Sequence, residues 1–141
     1  MMHRRTFLSI TALSFLLASA CKKEARCKTC GMRIDPKSAW LAELVTSDGA
    51  VVSFDTPQCA LRAWRSNAVA ATSLRVHEYY DRAMRDAGTL RFVIGSDVKG
   101  PMGPDLVPVD PSRVSKFMQD HAGRRVLDLE EISLSELGNL E

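Results

Sequence analysis

The sequence predicts a small α+β domain with one mainly antiparallel sheet and two or three helices. A β-hairpin pattern over residues 38–54 indicates antiparallel pairing. Two helical patterns begin at Pro57 and Pro111, each directly after a residue suited to cap a helix. Once an export signal is removed, about 120 residues remain, which is enough for one domain with a hydrophobic core.

The first half of the domain reads as a hairpin followed by a helix. Alternation places Trp40, Ala42 and Leu44 on one face, and the Asp48-Gly49 pair supplies the turn before the return strand at 51–54. The helix is predicted to run to about residue 70, with Ala60, Ala63 and Trp64 on its apolar side. Cys59 falls in the first turn of this helix, where the helix dipole is expected to lower the pKa of a thiol.

The second half contains shorter elements. Strands are predicted at 74–80, 90–94 and 126–129, a helix at 111–122 that ends at Gly123, and a terminal helix at 133–140. The intervening segment 101–108 holds three prolines and reads as a rigid loop with a short extended end. The buried stripe of the 111–122 helix is predicted to consist of Val114, Phe117, Met118 and His121.

The chain begins with the features of a secretory signal peptide over residues 1–20. Arg4 and Arg5 precede a short apolar stretch that ends in the sequence LASAC. This stretch is shorter than the roughly 20 apolar residues that span a bilayer, which disfavours a permanent membrane anchor. The ending is similar to a lipobox, so we expect Cys21 to carry lipid, and the arginine pair is similar to a twin-arginine export signal. We therefore divide the chain into a signal peptide (1–20), a lipid-anchored tether with a CxxCGM lead-in (21–37) and a folded domain (38–141).

Charge argues against a nucleic-acid-binding face. The full sequence has 19 Lys+Arg and 17 Asp+Glu, and residues 1–20 hold two arginines and no acid. The exported part is therefore formally neutral, and the basic residues after Cys21 read as a solvated tether beside the membrane.

Cys27 and Cys30, in the run CKTCGM, are the main candidates for chemistry. Two intervening residues allow both sulfurs to face one ion, and Gly31 allows the chain to fold Met32 back toward them. Thiolates and thioethers form a soft ligand set that selects Cu(I). A disulfide between the two cysteines is the alternative. A Cys₄ zinc ribbon would need a second C-x-x-C pair, which the sequence lacks.

Other candidates are weaker when they are considered alone. Met102 lies between glycines and prolines on a predicted loop, which makes its thioether available as a ligand. His121 near a helix end is more simply explained as a core or capping residue. We find no phosphate loop, dinucleotide fingerprint or Ser/His/Asp pattern, so the sequence gives little support for ordinary catalysis.

Taken together, these motifs resemble the NosL family, the copper lipoproteins of nitrous oxide reductase gene clusters. The resemblance is carried by the leader, CKTCGM, the segment RFVIGSDVKGPMGPDLVPV and the tail KFMQDHAGRRVLDLEEI. It implies a ββα-containing fold related to that of organomercurial lyase. It also implies a Cu(I) chaperone, not an enzyme, on the periplasmic side of the bacterial cell envelope. Nitrous oxide reductase or its maturation machinery would be the partner.

The resemblance also implies the metal ligands. By position, Cys30 and Met32 match the family's CGM segment, Cys27 matches a cysteine before it, and Met102 matches the MG loop. Cys59, in FDTPQC, and His121, in HAG, are further possible ligands. The sequence leaves the oligomeric state and the copper stoichiometry open.

Two other functions remain possible. One is a structural or redox lipoprotein with a Cys27–Cys30 disulfide. The other is a carbon–mercury lyase, suggested by the fold analogy alone, with Cys30, Cys59 and Asp55 as the thiol pair and acid that such an enzyme needs.

Overall fold

The predicted hairpin forms part of a four-stranded antiparallel sheet. The computed structural model describes residues 23–141, so the export signal and Cys21 lie outside the described residues. The strands are β1 (Ala42–Thr46), β2 (Val51–Phe54), β3 (Ala71–His77) and β4 (Met84–Asp86), in the order β2-β1-β3-β4. Leu44 of β1 is paired with Val52 on one side and Leu74 on the other. Leu44 and Leu74 are fully buried, as the predicted alternation requires.

Helix α1 (Pro57–Arg65) follows β2 after a two-residue junction. The Thr56 side chain caps its start, because its hydroxyl accepts a hydrogen bond from the backbone N–H of Cys59 at 3.3 Å. The helix is shorter than predicted. It stops at Arg65 because Asn67 adopts a left-handed backbone conformation (φ 58°), and the chain then turns into β3.

Three further strands form a second, three-stranded antiparallel sheet. Its order is β8-β5-β9, formed by β5 (Arg91–Ile94), β8 (Val107–Val109) and β9 (Arg125–Leu127). Between β5 and β8 the chain makes a small ribbon of β6 (Lys99–Gly100) and β7 (Gly103–Pro104). The predicted rigid loop therefore contains a tight two-stranded turn, and Met102 lies at its tip.

The other helices are short. A 3₁₀ turn (Pro111–Arg113) leads into α2 (Val114–Asp120), and α3 (Leu134–Leu137) lies near the C-terminus. Two more 3₁₀ turns cover Ala87–Thr89 and Leu129–Glu131. The left-handed residue that follows α2 is Ala122 (φ 51°) and not the predicted Gly123. Glycine at position 123 avoids a steric clash instead, because a Cβ there would lie 2.6 Å from Val93 Cγ1.

Together these elements form the predicted α+β fold, with three helices within residues 23–141. The strands are antiparallel as predicted, but they form a four-stranded sheet, a three-stranded sheet and a two-stranded ribbon where one sheet was expected. The larger hydrophobic core is shared by α1 and both sheets, and it includes the side chains of Cys27 and Cys59. A smaller cluster, centred on Phe117, packs α2 against β5 and β8. Within residues 23–141 no helix is long and apolar enough to cross a membrane.

Candidate metal centre

Four potential metal ligands converge at the start of α1. The thiols of Cys27, Cys30 and Cys59 and a carboxylate oxygen of Asp55 all lie within 4.8 Å of one another. We call this group the four-ligand cluster. Cys27, Asp55 and Cys59 are buried and Cys30 is half-buried, so the cluster reaches the surface at Cys30.

Two ligands come from a closed turn at residues 27–32, the CxxCGM turn. The N–H of Gly31 donates to the carbonyl of Cys27, and the N–H of Cys27 donates to the carbonyl of Met32, both at 2.8 Å. Gly31 has φ +78°, a left-handed backbone conformation that is strained in residues with an L side chain. The Arg26 side chain adds a hydrogen bond to the Gly31 carbonyl at 3.0 Å. These bonds give the turn a defined shape before any metal is present.

The other two ligands come from the junction between β2 and α1. Asp55 directly follows Phe54, the last residue of β2, and Cys59 lies in the first turn of α1. The two parts of the cluster are joined by Thr29, whose hydroxyl donates a hydrogen bond to the carbonyl of Cys59 at 3.0 Å. Cluster geometry therefore depends on both the local turn and the tertiary packing of α1.

Two thiols of the cluster, those of Cys30 and Cys59, have pKa values above the usual range. The Cys30 thiol donates to both oxygens of Asp55, at 3.2 and 3.3 Å. Burial raises the pKa of Cys30, and the hydrogen bond to Asp55 raises it further. Burial also raises the pKa of Cys59 far above its usual range, because it outweighs the hydrogen bond from Thr56. The predicted lowering of the Cys59 pKa by the helix dipole is thus wrong, since the thiol is in the core and not at an exposed helix end.

A second buried carboxylate, that of Asp105, lies beside the cluster. One of its oxygens accepts hydrogen bonds from the backbone N–H groups of Gln58 (3.1 Å) and Leu106 (2.7 Å). Burial raises the pKa of Asp105 to about 6, and the nearby charge of Asp55 adds to that rise. Gly100 of the β6–β7 ribbon packs on Asp105, where a Cβ would lie 3.2 Å from its side chain. Asp105 therefore connects the start of α1 with the ribbon that carries Met102.

The predicted methionine ligands lie at the surface. Met32 is 39% exposed and Met102 is 42% exposed. Met32 belongs to the CxxCGM turn through its backbone carbonyl, and Met102 occupies the tip of the β6–β7 ribbon. Both thioethers are accessible, and their role as ligands stays a prediction.

His121 lies in a different environment from the four-ligand cluster. Its Nδ1 is 2.9 Å from a carboxylate oxygen of Asp97, and its Nε2 is 3.2 Å from the hydroxyl of Tyr79. The imidazole also packs on Phe117, with ring centroids 4.6 Å apart. Both ring nitrogens are therefore engaged, as the capping or core interpretation of His121 expects.

Asp55 is the residue that sequence reasoning did not include among the metal ligands. Its sequence signal is modest: it stands four residues before Cys59, where a strand passes into a helix. The disulfide alternative is not formed in this structure, where Cys27, Cys30 and Cys59 are free thiols.

Comparison with known proteins identifies the family. The NosL family profile matches residues 18–137 of this chain. The fold is similar to the crystal structure of the copper chaperone NosL from Shewanella denitrificans, with a TM-score of 0.65 and 20% sequence identity over 79% of this chain and 91% of that chain. No curated protein matches the sequence. Because the family profile covers most of the chain, this protein belongs to the NosL family.

Proposed function

We propose that this protein is a Cu(I) chaperone that holds the ion on the thiolates of Cys27, Cys30 and Cys59. The observation that carries the proposal is the convergence of these three thiols around one point. Soft thiolates favour Cu(I) over hard cations. Membership of the NosL family and the likeness in fold to a copper chaperone support the same function.

The burial of the cluster suits a carrier. Cys27 and Cys59 are buried and hold the ion away from solvent, whereas half-buried Cys30 offers a point at which an incoming ligand can attack. Because the pKa values of the Cys30 and Cys59 thiols are raised and a metal binds them as thiolates, loading releases protons, and affinity falls as pH falls. The exposed thioethers of Met32 and Met102 are soft, weaker donors that would add to the binding of Cu(I) by the thiolates.

The cellular setting is part of the proposal. We infer export through the signal at residues 1–20 and lipid attachment at Cys21, which would tether the domain to the periplasmic side of the cell envelope. The proposed acceptor is nitrous oxide reductase or its maturation machinery, and the support for this partner is family membership.

The decisive experiment is an anaerobic Cu(I) titration of the fully reduced protein against a competing chelator. Cys27→Ser, Cys30→Ser and Cys59→Ser should each lower the affinity by about tenfold or more, because each removes one of three thiolates. Cys21→Ser is the matched control, since it removes a thiol at the predicted lipid-attachment position. Absence of binding by the reduced wild-type protein would overturn the proposal. Thiol counting on protein purified without reductant then tests the disulfide alternative.

A second candidate function is cleavage of a carbon–mercury bond. The observation in its favour is that Cys30, Cys59 and Asp55 lie together. The Cys30 thiol donates a hydrogen bond to the carboxylate of Asp55. In such a reaction both thiolates would bind mercury, the carbon–mercury bond would break, and a proton held by Asp55 would pass to the carbon. The third thiol favours a carrier, because the cleavage reaction needs only two. Incubation with methylmercury separates the functions: repeated release of methane indicates an enzyme, and stoichiometric binding without methane indicates a carrier.

A further inference from the structure

The charges of the exported chain are unevenly distributed. The segment at residues 22–37, which we call the basic lead-in, contains six Lys or Arg residues and two acids. Residues 38–141 contain 11 Lys or Arg residues and 15 acids. The lead-in therefore has a formal net charge of +4, and the domain that follows it has one of −4. This separation of charge indicates that the lead-in attracts an anionic partner.

The fold holds part of the lead-in as a hairpin with one apolar and one basic side. Arg26 forms an antiparallel bridge with Arg33, and side chains that are directly opposite in such a pair project on the same side. The next residue along each strand, Cys27 or Ile34, is buried in the larger core, because side chains alternate in direction along a strand. Arg26 and Arg33 are exposed. The hairpin therefore packs its apolar side on the domain and presents its arginines to solvent.

Most of the positive charge in the lead-in is not neutralised by the protein. Arg33 forms an ion pair with Glu24 at 3.2 Å. Within residues 23–141, the other basic side chains of the lead-in are exposed and form no ion pair: these are Lys23, Arg26, Lys28 and Lys37. Arg26 donates a hydrogen bond to the carbonyl of Gly31, which leaves its charge in place. The lead-in therefore meets solvent as a concentration of positive charge.

The position of the lead-in in the chain favours a membrane as the anionic partner. In the proposed cellular setting, lipid is attached at Cys21, directly before the lead-in. A chain spans at most about 3.5 Å per residue, so Lys28 stays within about 25 Å of the anchor. Anionic headgroups attract basic side chains within about one Debye length, which is about 8 Å at physiological ionic strength. The headgroups are thus the anionic surface that the tethered lead-in meets first.

We propose that the basic lead-in docks on the phosphate-bearing headgroups of anionic phospholipids and thereby orients the domain at the membrane. This role rests on the lipid attachment at Cys21 that the proposed function includes, and it adds a second contact to that anchor. Repulsion of the acidic domain from the same surface favours a single orientation. Because Lys28 and Cys30 belong to the same turn, docking directs the half-buried thiol of Cys30 toward the membrane surface.

Vesicle binding by unlipidated protein tests the docking. A chain that starts at residue 22 lacks the anchor but keeps the larger core, which within residues 23–141 extends from Cys27 to Leu140. It should bind phosphatidylcholine vesicles that contain about one-third phosphatidylglycerol, and it should not bind vesicles of phosphatidylcholine alone. Binding should be lost as salt increases from about 0.1 M to about 1 M, because the Debye length falls from about 10 Å to about 3 Å. Absence of binding to the anionic vesicles, equal binding to both kinds of vesicle, or binding that persists at high salt would overturn the proposal.

Charge substitutions separate the effect of the lead-in from that of net charge. Each basic residue near an anionic surface strengthens binding by about fivefold, so Lys28→Gln combined with Lys37→Gln should lower vesicle affinity by about 25-fold. Arg82→Gln combined with Arg124→Gln is the matched control, because these exposed arginines belong to the domain and their loss changes the net charge equally. The control should change affinity by less than about twofold. Glu24→Gln should act in the opposite direction and strengthen binding. A control pair as harmful as the lead-in pair would show that the lead-in is not the docking surface.

Amine-reactive labelling of the unsubstituted chain locates the contact without any variant. The structure describes three lysines in the lead-in and two in the domain: Lys23, Lys28 and Lys37, and Lys99 and Lys116. Bound anionic vesicles should slow the labelling of the lead-in lysines several-fold and leave the rates at the domain lysines unchanged. Unchanged rates at the lead-in lysines of vesicle-bound protein would contradict the proposal. These results are independent of the Cu(I) titration, which is made without vesicles, and the mass of the mature protein tests lipid attachment at Cys21 separately.

Discussion

The hydroxyl of Thr29 donates a hydrogen bond to the backbone carbonyl of Cys59 at 3.0 Å. Thr29 lies between Cys27 and Cys30, and Cys59 is thirty residues further along the chain. The bond therefore joins the turn that carries two thiols to the helix that carries the third. Because a metal ion needs its ligands at fixed separations, this contact preorganises the cluster.

Thr29→Val should weaken both the fold and the metal site. Loss of the hydrogen bond is expected to cost about 1 kcal/mol in the free energy of unfolding. It should lower Cu(I) affinity by up to about tenfold, because the CxxCGM turn is then less firmly held against α1. Chemical denaturation and chelator competition measure the two effects.

Thr72→Val is the matched control for that substitution. The Thr72 hydroxyl also donates to a backbone carbonyl, that of Val45 at 3.1 Å, but it lies between β1 and β3. Thr72→Val should lower the free energy of unfolding but leave the Cu(I) affinity at the wild-type value. Equal Cu(I) affinities for the two variants would show that the bond from Thr29 does not organise the site.

Gly31→Ala tests the left-handed conformation of the CxxCGM turn. A Cβ at Gly31 meets no atom within 4 Å, so the cost arises from the backbone (φ +78°) and is expected to be about 1 kcal/mol. Gly49→Ala is the control, because Gly49 has φ +82° in the β1–β2 turn and is equally free of contacts. Both variants should lose similar stability in denaturation, whereas only Gly31→Ala should lose Cu(I) affinity. A similar loss of affinity in Gly49→Ala would point to a general effect of destabilisation.

Local patterns in the sequence were sufficient to predict much of the fold. The Asp48-Gly49 turn and the alternation around Leu44 predict the hairpin because they depend only on neighbouring residues. Thr56 before Pro57 predicts the start of α1 for the same reason. The length of α1 was predicted less well, because nothing in the local pattern requires Asn67 to adopt a left-handed conformation.

The metal site was predictable only in part. Only two residues separate Cys27 from Cys30 in the sequence, so their spacing alone suggests a shared ion. The inclusion of Cys59 and Asp55 depends on how α1 packs against the CxxCGM turn, which is a tertiary relationship between segments about 30 residues apart. The pKa of Cys59 was mispredicted for the same reason, since its burial in the core is not visible in the helical pattern.

Met32→Leu and Met102→Leu test the two exposed thioethers. Leucine retains the apolar volume but removes the sulfur, so each variant should bind Cu(I) less tightly, by several-fold, with unfolding free energy within about 0.5 kcal/mol of wild type. Met84→Leu is the control, since Met84 packs against the core and is expected to affect stability alone. Wild-type Cu(I) affinity in either surface variant would exclude that methionine as a ligand.

Asp105 should make the protein less stable as pH rises from about 4 to 6. Burial raises the pKa of Asp105 to about 6 in the folded protein, whereas an aspartate in an unfolded chain has a pKa of about 3.9. Between these values the folded state keeps a proton that the unfolded state has lost, so increasing pH favours unfolding. The difference between the two pKa values corresponds to a loss of about 3 kcal/mol in the free energy of unfolding, and this loss is complete above pH 6.

Asp105→Asn tests this pH dependence. The amide keeps an oxygen that can accept hydrogen bonds from the backbone N–H groups of Gln58 and Leu106, but it has no ionisable carboxyl group. In metal-free protein, the unfolding free energy of the variant minus that of wild type should therefore increase from pH 4 to about 6.5 and then level off. Other titrating groups cancel in this difference, and the exposed Asp35→Asn variant should give a flat difference over the same range. A flat difference for Asp105→Asn would mean that the Asp105 carboxylate is already ionised in the folded protein near pH 4, with its burial compensated by the two backbone N–H groups that it accepts.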